Sequence, residues 1–328
     1  MMEKIRISVG PLGDYRTIGE AAEAVPYMAS AVIDIAEGIY KEKLSIEKKD
    51  ITLRGAGMNK TVISYDDCAE QLLEDNTKRG TFRSQTLFIG GERVKVQDLT
   101  VENTAGWGNG VGQALAIYAD ADEVVMENVS IRSRQDTLFM APLPLTERFK
   151  NGFFGPRMLT NRRNTRQFYK NCVICGDVDF IFGGADAVFD NCEIVVMDRK
   201  KDINGYVTAP SENLGELGMV FRECHIHGEN KDMEGTVLLG RPWRPTGKVA
   251  FIDCTYDNSI HPLRFSEWYE MKTMESEAFF AEYNSRDEMG NEPDLSKRNK
   301  WVKLLSPEEA SKIREAADSL VMSVRRQN

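Results

Sequence analysis

The sequence predicts an all-β protein built as a parallel β-helix, a solenoid in which short strands stack coil upon coil. Three observations point to this fold. A strand–turn–strand pattern recurs at unequal spacings of a few tens of residues, as in solenoids with loop insertions. No long helical segment separates these strands, which argues against alternating βαβ units. The chain also has no linker or low-complexity segment, so residues 1–328 are predicted to form a single domain.

Each copy of the pattern is an apolar strand, an Asn, Asp or Glu at the turn, a small apolar residue and a second alternating strand. The copies occupy residues 96–101, 125–131, 168–174, 188–194, 220–226 and 250–256. Cys172 and Cys192 hold the same place in consecutive copies, so the solenoid would stack them. In a reducing compartment we expect both cysteines to be free thiols that fill the core. The alternative, in an oxidising compartment, is a disulfide between them. The alternative fold for this pattern is an antiparallel β-sandwich.

Helices are predicted near both ends of the chain. Thr17 and Glu20 form a capping box before an Ala-rich run that reaches Pro26. Short strands are expected at 31–36, 44–46 and 51–53. Near the C-terminus, Ser306 and Pro307 open a helix with one apolar stripe, made of Ala310, Ile313, Ala317, Leu320 and Val321. We expect this helix to pack on the solenoid, because solenoids need covered ends.

Composition excludes several classes of function. The net charge of -9 argues against nucleic acid or an anionic membrane surface as a partner. No apolar run approaches the length of about 20 residues that spans a bilayer. The N-terminus lacks the apolar core of a signal peptide, which predicts a cytoplasmic protein. The alternative is a secreted protein whose leader is missing from this sequence. We further expect a monomer.

A metal or other cofactor is not expected. Cys172 and Cys175 form a C-x-x-C, but no second pair follows it. The three histidines are His225, His227 and His261, and the spacing of the first two fits strand alternation. Full ligand sets for a zinc site are therefore missing.

Two acidic residues carry the chemistry that the sequence suggests. Asp179 lies within Val178–Gly183, a run of β-branched and aromatic residues that reads as a buried strand. Asp136 lies beside the carboxamide of Gln135, in a similar setting. Two carboxylates close together in a low-dielectric site split their pKa values, so one ionises while the other stays an acid. The alternative is that each is a strand-edge residue facing solvent, because a perturbed acid marks a site only statistically.

Several stretches in this order resemble the pectin methylesterases, the pectinesterase family of carbohydrate esterases, whose fold is a right-handed β-helix. They are GDYRTI (13–18), GIYKEKL (38–44), ENTAG (102–106), GQALAI (112–117), RQDTLF (134–139), GDVDFIFGGA (176–185), GYVTAP (205–210), LLGRPW (238–243) and FFAEYN (279–284). The resemblance covers nearly the whole chain. Two departures stand out: Arg264-Phe265 replaces a Gly-Trp pair, and the link 139–166 is longer than usual.

The resemblance implies an esterase that hydrolyses galacturonate methyl esters in pectin or methylated oligogalacturonides. It places the nucleophile on Asp179, the general acid/base on Asp136, and the orienting arginine on Arg241. Gln113 and Gln135 would supply neutral donors for the oxyanion, although both are also plausible as plain ladder residues.

Five further residues are predicted to bind substrate: Trp243, Phe182, Val178, Thr81 and Thr246. Trp243 offers a flat apolar face to a sugar ring, and its alternative role is that of a core tryptophan. Three rival functions stay open at this point. They are a glycosidase such as a polygalacturonase, which also uses two carboxylates; a pectate lyase, which would require a calcium-binding carboxylate cluster; and a binding module without catalysis.

The long link 139–166 is predicted to form a loop beside the cleft and to bind the acidic chain. The link contains one acid, Glu147, and six basic residues, which are Arg148, Lys150, Arg157, Arg162, Arg163 and Arg166. Attraction of this kind is sensitive to salt. The alternative is a solvated charged surface without function, since exposed charges seldom contribute much.

Overall fold

The strands of the protein pair in parallel and form two sheets, one of 18 strands and one of seven. A computed structural model describes residues 4–211, 214–268 and 277–325. The chain winds through both sheets repeatedly, so the fold is the predicted right-handed parallel β-helix. The antiparallel sandwich alternative is wrong. The single domain over residues 1–328 stays a prediction.

The strands are short, most of them of three to six residues, and are numbered here in chain order. They are β1 Ile5–Val9, β2 Ala31–Ile35, β3 Gly38–Lys41, β4 Leu44–Ile46, β5 Ile51–Arg54, β6 Thr61–Tyr65, β7 Leu87–Ile89, β8 Lys95–Asn103, β9 Ile117–Ala119, β10 Val124–Arg132, β11 Leu138–Met140, β12 Arg166–Lys170, β13 Val173–Gly176, β14 Val178–Gly183, β15 Asp186–Asp190, β16 Glu193–Val196, β17 Gly205–Pro210, β18 Met219–Arg222, β19 His225–Gly228, β20 Val237–Gly240, β21 Lys248–Ile252, β22 Thr255–Tyr256, β23 Phe279–Tyr283, β24 Arg286–Asp287 and β25 Lys303–Leu304.

The larger sheet consists of two lanes of strands that meet at a corner. One lane runs from β1 and β2 through β12 and β15 to β25, and the other from β3 and β6 through β13 and β16 to β24. The nine-residue strands β8 and β10 belong to both lanes, because their first halves pair in one lane and their second halves in the other. The smaller sheet stacks β4, β7, β9, β11, β14, β17 and β20.

The corner between the two lanes is made by the predicted turn residues. They all adopt left-handed backbone with φ between 51° and 56°: Asp98, Asn128, Asn171, Asn191, Glu223, Asp253 and Asn284. Asn and Asp tolerate this conformation better than other residues with a side chain. Asn128 Nδ2 donates to Asp98 Oδ1 at 2.9 Å, and Asn191 Nδ2 donates to Asn171 Oδ1 at 2.8 Å. The corner is therefore stabilised by side-chain hydrogen bonds between coils.

Equivalent residues of successive coils stack inside the solenoid. Tyr169, Phe189, Phe221 and Phe251 form a column of parallel rings with centroids 4.4–4.6 Å apart. Each residue that follows a corner from Asn171 to Asp253 is a buried cysteine with a free thiol: Cys172, Cys192, Cys224 and Cys254. The predicted stacking of the cysteines is thus confirmed, and they occur as thiols that fill the core.

Both predicted helices are present. Helix α1, Ile18–Ala24, begins after Thr17, whose side chain accepts from Glu20 N, and it covers the first strands. Helix α2, Pro307–Arg325, begins with a complete capping box between Ser306 and Glu309. Its apolar stripe packs along the outer face of the first lane, against β10, β12 and β15, and not across an end of the solenoid. In the described chain, no helix is long and apolar enough to cross a membrane.

Candidate active site

Asp136 and Asp179 occupy equivalent positions in neighbouring coils of the smaller sheet. Leu138 of β11 pairs with Ile181 of β14, and each acid precedes its paired residue by two positions. Strand β14 advances three residues, from Val178 to Ile181, while its partner β17 advances two, from Tyr206 to Thr208. The extra residue creates a β-bulge in β14 at Asp179. Both acids have left-handed backbone, with φ 65° for Asp136 and 51° for Asp179. Bulges redirect side chains, as at Asp179, and both carboxyl groups line one cleft.

Arg241 holds the carboxylate of Asp179 through two hydrogen bonds. The residue directly follows β20, and its Nε and Nη2 lie 2.9 and 2.7 Å from Oδ1 and Oδ2 of Asp179. The guanidinium lies between two aromatic rings, 3.9 Å from the centroid of Tyr206 and 4.2 Å from that of Trp268. Asp179 and Arg241 are each only 6% exposed. A bidentate pair in this setting fixes the carboxylate in orientation as well as charge.

The surroundings of Asp136 and Asp179 give the two acids different pKa values. Burial raises the pKa of Asp179, and the hydrogen bonds and charge of Arg241 oppose this rise. The pKa of Asp136 lies well above its ordinary value, first because of burial and second because of the charge on Asp179. The charge of Arg241 lowers the pKa of Asp136, but by less than the charge of Asp179 raises it. Asp136 is therefore the acid that keeps its proton when Asp179 ionises.

Gln113 and Gln135 line the cleft next to the two acids. Their coils are adjacent, because Ala114 N donates to the backbone oxygen of Gln135 at 3.1 Å. The Gln135 carboxamide also makes a hydrogen bond with the carboxyl group of Asp136. The structure thus brings together all five residues to which the resemblance assigns catalysis.

The predicted substrate-binding residues divide into two groups. Thr81, Phe182 and Trp243 line the cleft. Trp243 is half-buried, with its ring 5.6 Å from that of Phe182. Val178 and Thr246 are not among the described residues that line the cleft. Val178 is buried at the start of β14, and Thr246 is exposed in the loop after β20. A role of either residue in substrate binding stays a prediction.

Sequence reasoning missed the aromatic residues that surround Arg241. Tyr206 lies in the GYVTAP stretch, near the start of strand β17 of the smaller sheet. Its place in that motif was a signal that could have identified it. Trp268 follows the Arg264-Phe265 departure, and no local pattern marks it. Arg264 forms a buried ion pair with Glu282, and Phe265 belongs to the core. In the described chain, Trp268 is thus the aromatic side chain that this segment contributes to the cleft.

The long link is located as predicted, but most of its charge is not at the cleft. Arg148, Phe149 and Phe153 line the cleft. Arg157 instead pairs with Glu47 and Asp120. Arg166 pairs with Asp122 and Glu123, and Arg162 donates to backbone oxygens of the link itself. Acids from neighbouring coils thus neutralise part of the positive charge of the link, and loop carbonyls engage more of it. Binding of the acidic chain by the link stays a prediction.

Within residues 4–211, 214–268 and 277–325, no group of three or more His, Cys, Asp or Glu is arranged to hold a metal ion. His225 and His227 stack with centroids 4.6 Å apart and lie beside Glu288 and Glu193, respectively. They are neighbours in strand β19, as the alternation of the sequence suggests.

Comparison with known proteins places the chain in a family. The family model described as Pectinesterase matches residues 5–143 and 160–319. The chain belongs to the pectinesterase family. The probable pectinesterase/pectinesterase inhibitor 23 of Arabidopsis thaliana is 32% identical over 313 residues, which are 91% of this chain and 49% of that protein. The chain thus spans about half the length of such curated relatives.

Solved structures of pectin methylesterases share the fold. The enzyme from carrot is 26% identical, with a TM-score of 0.75, and the match covers 93% of this chain and 89% of that one. A pectin methylesterase in complex with a hexasaccharide is 25% identical, also with a TM-score of 0.75, over 94% and 95% of the two chains. These matches agree with the right-handed β-helix described above.

Proposed function

We propose that the protein is a carboxylic ester hydrolase that removes methyl groups from galacturonate esters of pectin or of methylated oligogalacturonides. The observation that carries this proposal is a pair of acids in a single cleft: Arg241 binds Asp179 through two hydrogen bonds, and burial raises the pKa of Asp136 well above its ordinary value. The family membership and the saccharide complex of a similar enzyme support the substrate class.

Asp179 is the proposed nucleophile. Its carboxylate attacks the ester carbonyl carbon, and the carbonyl π electrons move to oxygen and form a tetrahedral oxyanion. The N–H groups of Gln113 and Gln135 would stabilise this oxyanion without neutralising the nucleophile, because carboxamides carry no charge. Arg241 keeps the attacking oxygen in place through its paired hydrogen bonds.

Asp136 is the proposed general acid and base. It donates its proton to the departing methoxy oxygen, so methanol leaves and an anhydride joins the substrate acyl group to Asp179. The Asp136 carboxylate then takes a proton from water, and the hydroxide attacks the substrate carbonyl of the anhydride. Collapse of this second intermediate releases galacturonate, frees the Asp179 carboxylate and leaves Asp136 protonated for the next cycle.

One incubation with methylated pectin tests the function against its rivals. Methanol release with acidification is the expected result. New reducing ends without methanol would indicate a glycosidase, and unsaturated products would indicate a lyase. Binding without any product would indicate a module without catalysis. Each of these three outcomes contradicts the proposal.

The substrate also bears on where the protein works. A long polysaccharide does not cross a membrane unaided, so a substrate as large as pectin favours the secreted alternative over the cytoplasmic expectation. The comparisons do not support the cytoplasmic expectation, since the relatives are named for their action on pectin. Fractionation of the native host decides this: activity in the medium is expected if the substrate is the polymer. Activity confined to the cytoplasm would restore the first expectation.

A further inference from the structure

The outer face of the smaller sheet carries a row of aromatic residues that is almost entirely hidden from solvent. The strand register aligns Phe88, Tyr118, Phe139 and Phe182 across β7, β9, β11 and β14. Their chain neighbours point into the solenoid core, so these four side chains point outward. None of the four is more than 3% exposed. Another part of the chain must therefore cover this face.

Phe82 lies directly on this row, with its ring 5.8, 4.9 and 6.3 Å from the rings of Tyr118, Phe139 and Phe182. The layer above Phe82 is residues 144–159, here called the strap. Its Phe153 ring contacts Phe82 edge-on at 5.8 Å, and the Arg157 guanidinium lies 4.9 Å from the centroid of Phe88. Inside the strap, the Glu147 carboxylate accepts from the backbone N–H groups of Asn151 and Phe153 at 3.1 and 2.9 Å. These contacts give the strap a defined shape on the sheet.

The strap is anchored on both sides of the cleft. On the side of the earlier coils, the Arg83 guanidinium stacks on Phe154 at 4.3 Å. On the side of the later coils, Arg244 Nη2 donates to Thr146 O at 3.0 Å, and Arg148 Nη2 donates to Trp243 O at 2.5 Å. The strap also coincides with the segment that the family model leaves unmatched. It is therefore a feature of this chain beyond the common family pattern.

The consequence is a small, walled cleft. Thr81 and Phe82 border it on one side, Trp243 and Trp268 on another, and the strap on a third. Its volume is about 220 Å³. The interior of a polysaccharide must continue on both sides of the bound ring, so walls on three sides of the cleft limit the paths that a long chain can take.

We infer that the strap restricts the enzyme to methyl-esterified oligogalacturonides and to chain ends, and excludes the interior of polymeric pectin. This inference rests on the proposed function, because it concerns the substrate of the same cleft. The strap acts by steric exclusion at the cleft wall. Phe149 of the strap lines the cleft and is 72% exposed, so its ring forms an aromatic edge of this wall.

The native enzyme tests this inference without any variant. Methylated trigalacturonide and highly methylated pectin are supplied at equal concentrations of ester, and methanol is measured to completion. We expect at least a tenfold higher kcat/KM per ester on the trimer, and an early halt on the polymer. Prior cleavage of the pectin by an endo-polygalacturonase should raise the methanol yield in proportion to the new ends. Equal rates and complete release on both substrates would overturn the inference, and no methanol from either would instead refute the proposed function.

Variants of the strap provide a second test. Replacing residues 146–155 by a short Gly-Ser link should raise activity on the polymer relative to the trimer several-fold, and Phe149→Ala should act in the same direction more weakly. Arg163→Gln is the matched control, since Arg163 is exposed on the same link but does not line the cleft. Arg163→Gln should leave the ratio of activity on the polymer to activity on the trimer unchanged. If the deletion variant does not fold, Phe149→Ala and the native comparison decide. An unchanged polymer-to-trimer ratio in a folded strap variant contradicts the inference.

Discussion

Two aspartates in one motif have different roles because their partners differ. Asp177 and Asp179 are both buried, and burial raises the pKa of each. Asp177 is bound by Arg134 Nε at 2.8 Å and by its neighbour's backbone N–H, away from the cleft. Asp179 turns into the cleft because the β-bulge reverses its direction. At the scale of single residues, the bulge therefore selects the proposed nucleophile.

Substitution of this pair tests the assignment. Asp179→Asn keeps the shape and tolerates the left-handed backbone but removes the nucleophilic carboxylate. We expect methanol release to fall by about a thousandfold or more, with the fold retained. The matched control is Asp177→Asn, which should cost about 1–3 kcal/mol of unfolding free energy but leave most of the activity. Circular dichroism and a methanol assay provide the measurements. Activity above a few per cent in folded Asp179→Asn, or equal losses in both variants, would remove Asp179 from this role.

Asp136 links activity to stability through its raised pKa. Below the ordinary value of 3.8, the folded and unfolded chains both carry the proton. Between this value and the raised folded pKa, only the folded chain keeps it, so the free energy of unfolding falls as the pH rises. Each unit of the shift corresponds to about 1.4 kcal/mol. Asp136→Asn, which cannot ionise, should thus be more stable than the native protein at neutral pH and nearly inactive.

The measurement is urea unfolding of both proteins between pH 4 and 8, together with pH–rate profiles. The native free energy of unfolding should decline relative to that of Asp136→Asn as the pH rises. Parallel stability curves would show that Asp136 has an ordinary pKa. In the native enzyme, activity should also fall on the alkaline side, where Asp136 loses the proton that methanol requires. A rate that stays constant through this range would exclude Asp136 as general acid.

At the scale of elements, the repeated unit is a strand, a left-handed corner and a second strand. The corner works because Asn and Asp accept positive φ and their side chains reach the equivalent residue of the next coil. Rings and thiols then stack on the inner side of the corner. Local sequence thus determines both the bend and the register of the larger sheet.

Asn191 separates the two contributions of a corner residue. Asn191→Gly keeps the left-handed backbone without strain but removes the hydrogen bond to Asn171, which should cost about 1 kcal/mol. Asn191→Ala removes the same bond and adds roughly 1–2 kcal/mol of backbone strain. We therefore expect the alanine variant to be the less stable of the two in thermal unfolding. The reverse order would show that the higher entropy of glycine in the unfolded chain outweighs the corner strain.

At the scale of the whole molecule, the fold brings acidic and basic side chains from distant coils together, and among the described residues no group of acids is arranged to hold a metal ion. Arg157 meets Glu47 and Asp120, and Arg166 meets Asp122 and Glu123. These ion pairs attach the loop between β11 and β12 to the solenoid. The net charge of the whole chain is -9. Many acids of the described coils form ion pairs with arginine or lysine, and the proposed reaction uses carboxylates, carboxamides and Arg241.

Removal of metal ions provides a test at this scale. Dialysis against a chelator should leave methanol release unchanged, because the proposed steps need Asp179, Asp136 and neutral donors but no Lewis acid. The assay is run before dialysis, after it, and again with added calcium or zinc. A loss of activity that either ion restores would contradict the mechanism as drawn and would favour a lyase-like use of calcium.

The solenoid, its corners and both helices could be predicted from the sequence. These features depend on patterns within one coil, such as Asn191 before Cys192 or Ser306 before Pro307, and each coil repeats the same local chemistry. The motifs around Asp136, Asp179 and Arg241 were recognisable through their resemblance to the pectinesterase family, and each lies in or beside a strand of the smaller sheet.

The shape of the cleft, by contrast, depends on tertiary contacts. Trp268 reaches Arg241, and Phe82 covers Phe139 and Phe182, through contacts between residues far apart in the chain. Ion pairs of the same long-range kind join Arg157 and Arg166 to acids of other coils. The physical reason is that a coil's pattern specifies its own strands, whereas the place of an inserted loop depends on which surfaces it can bury.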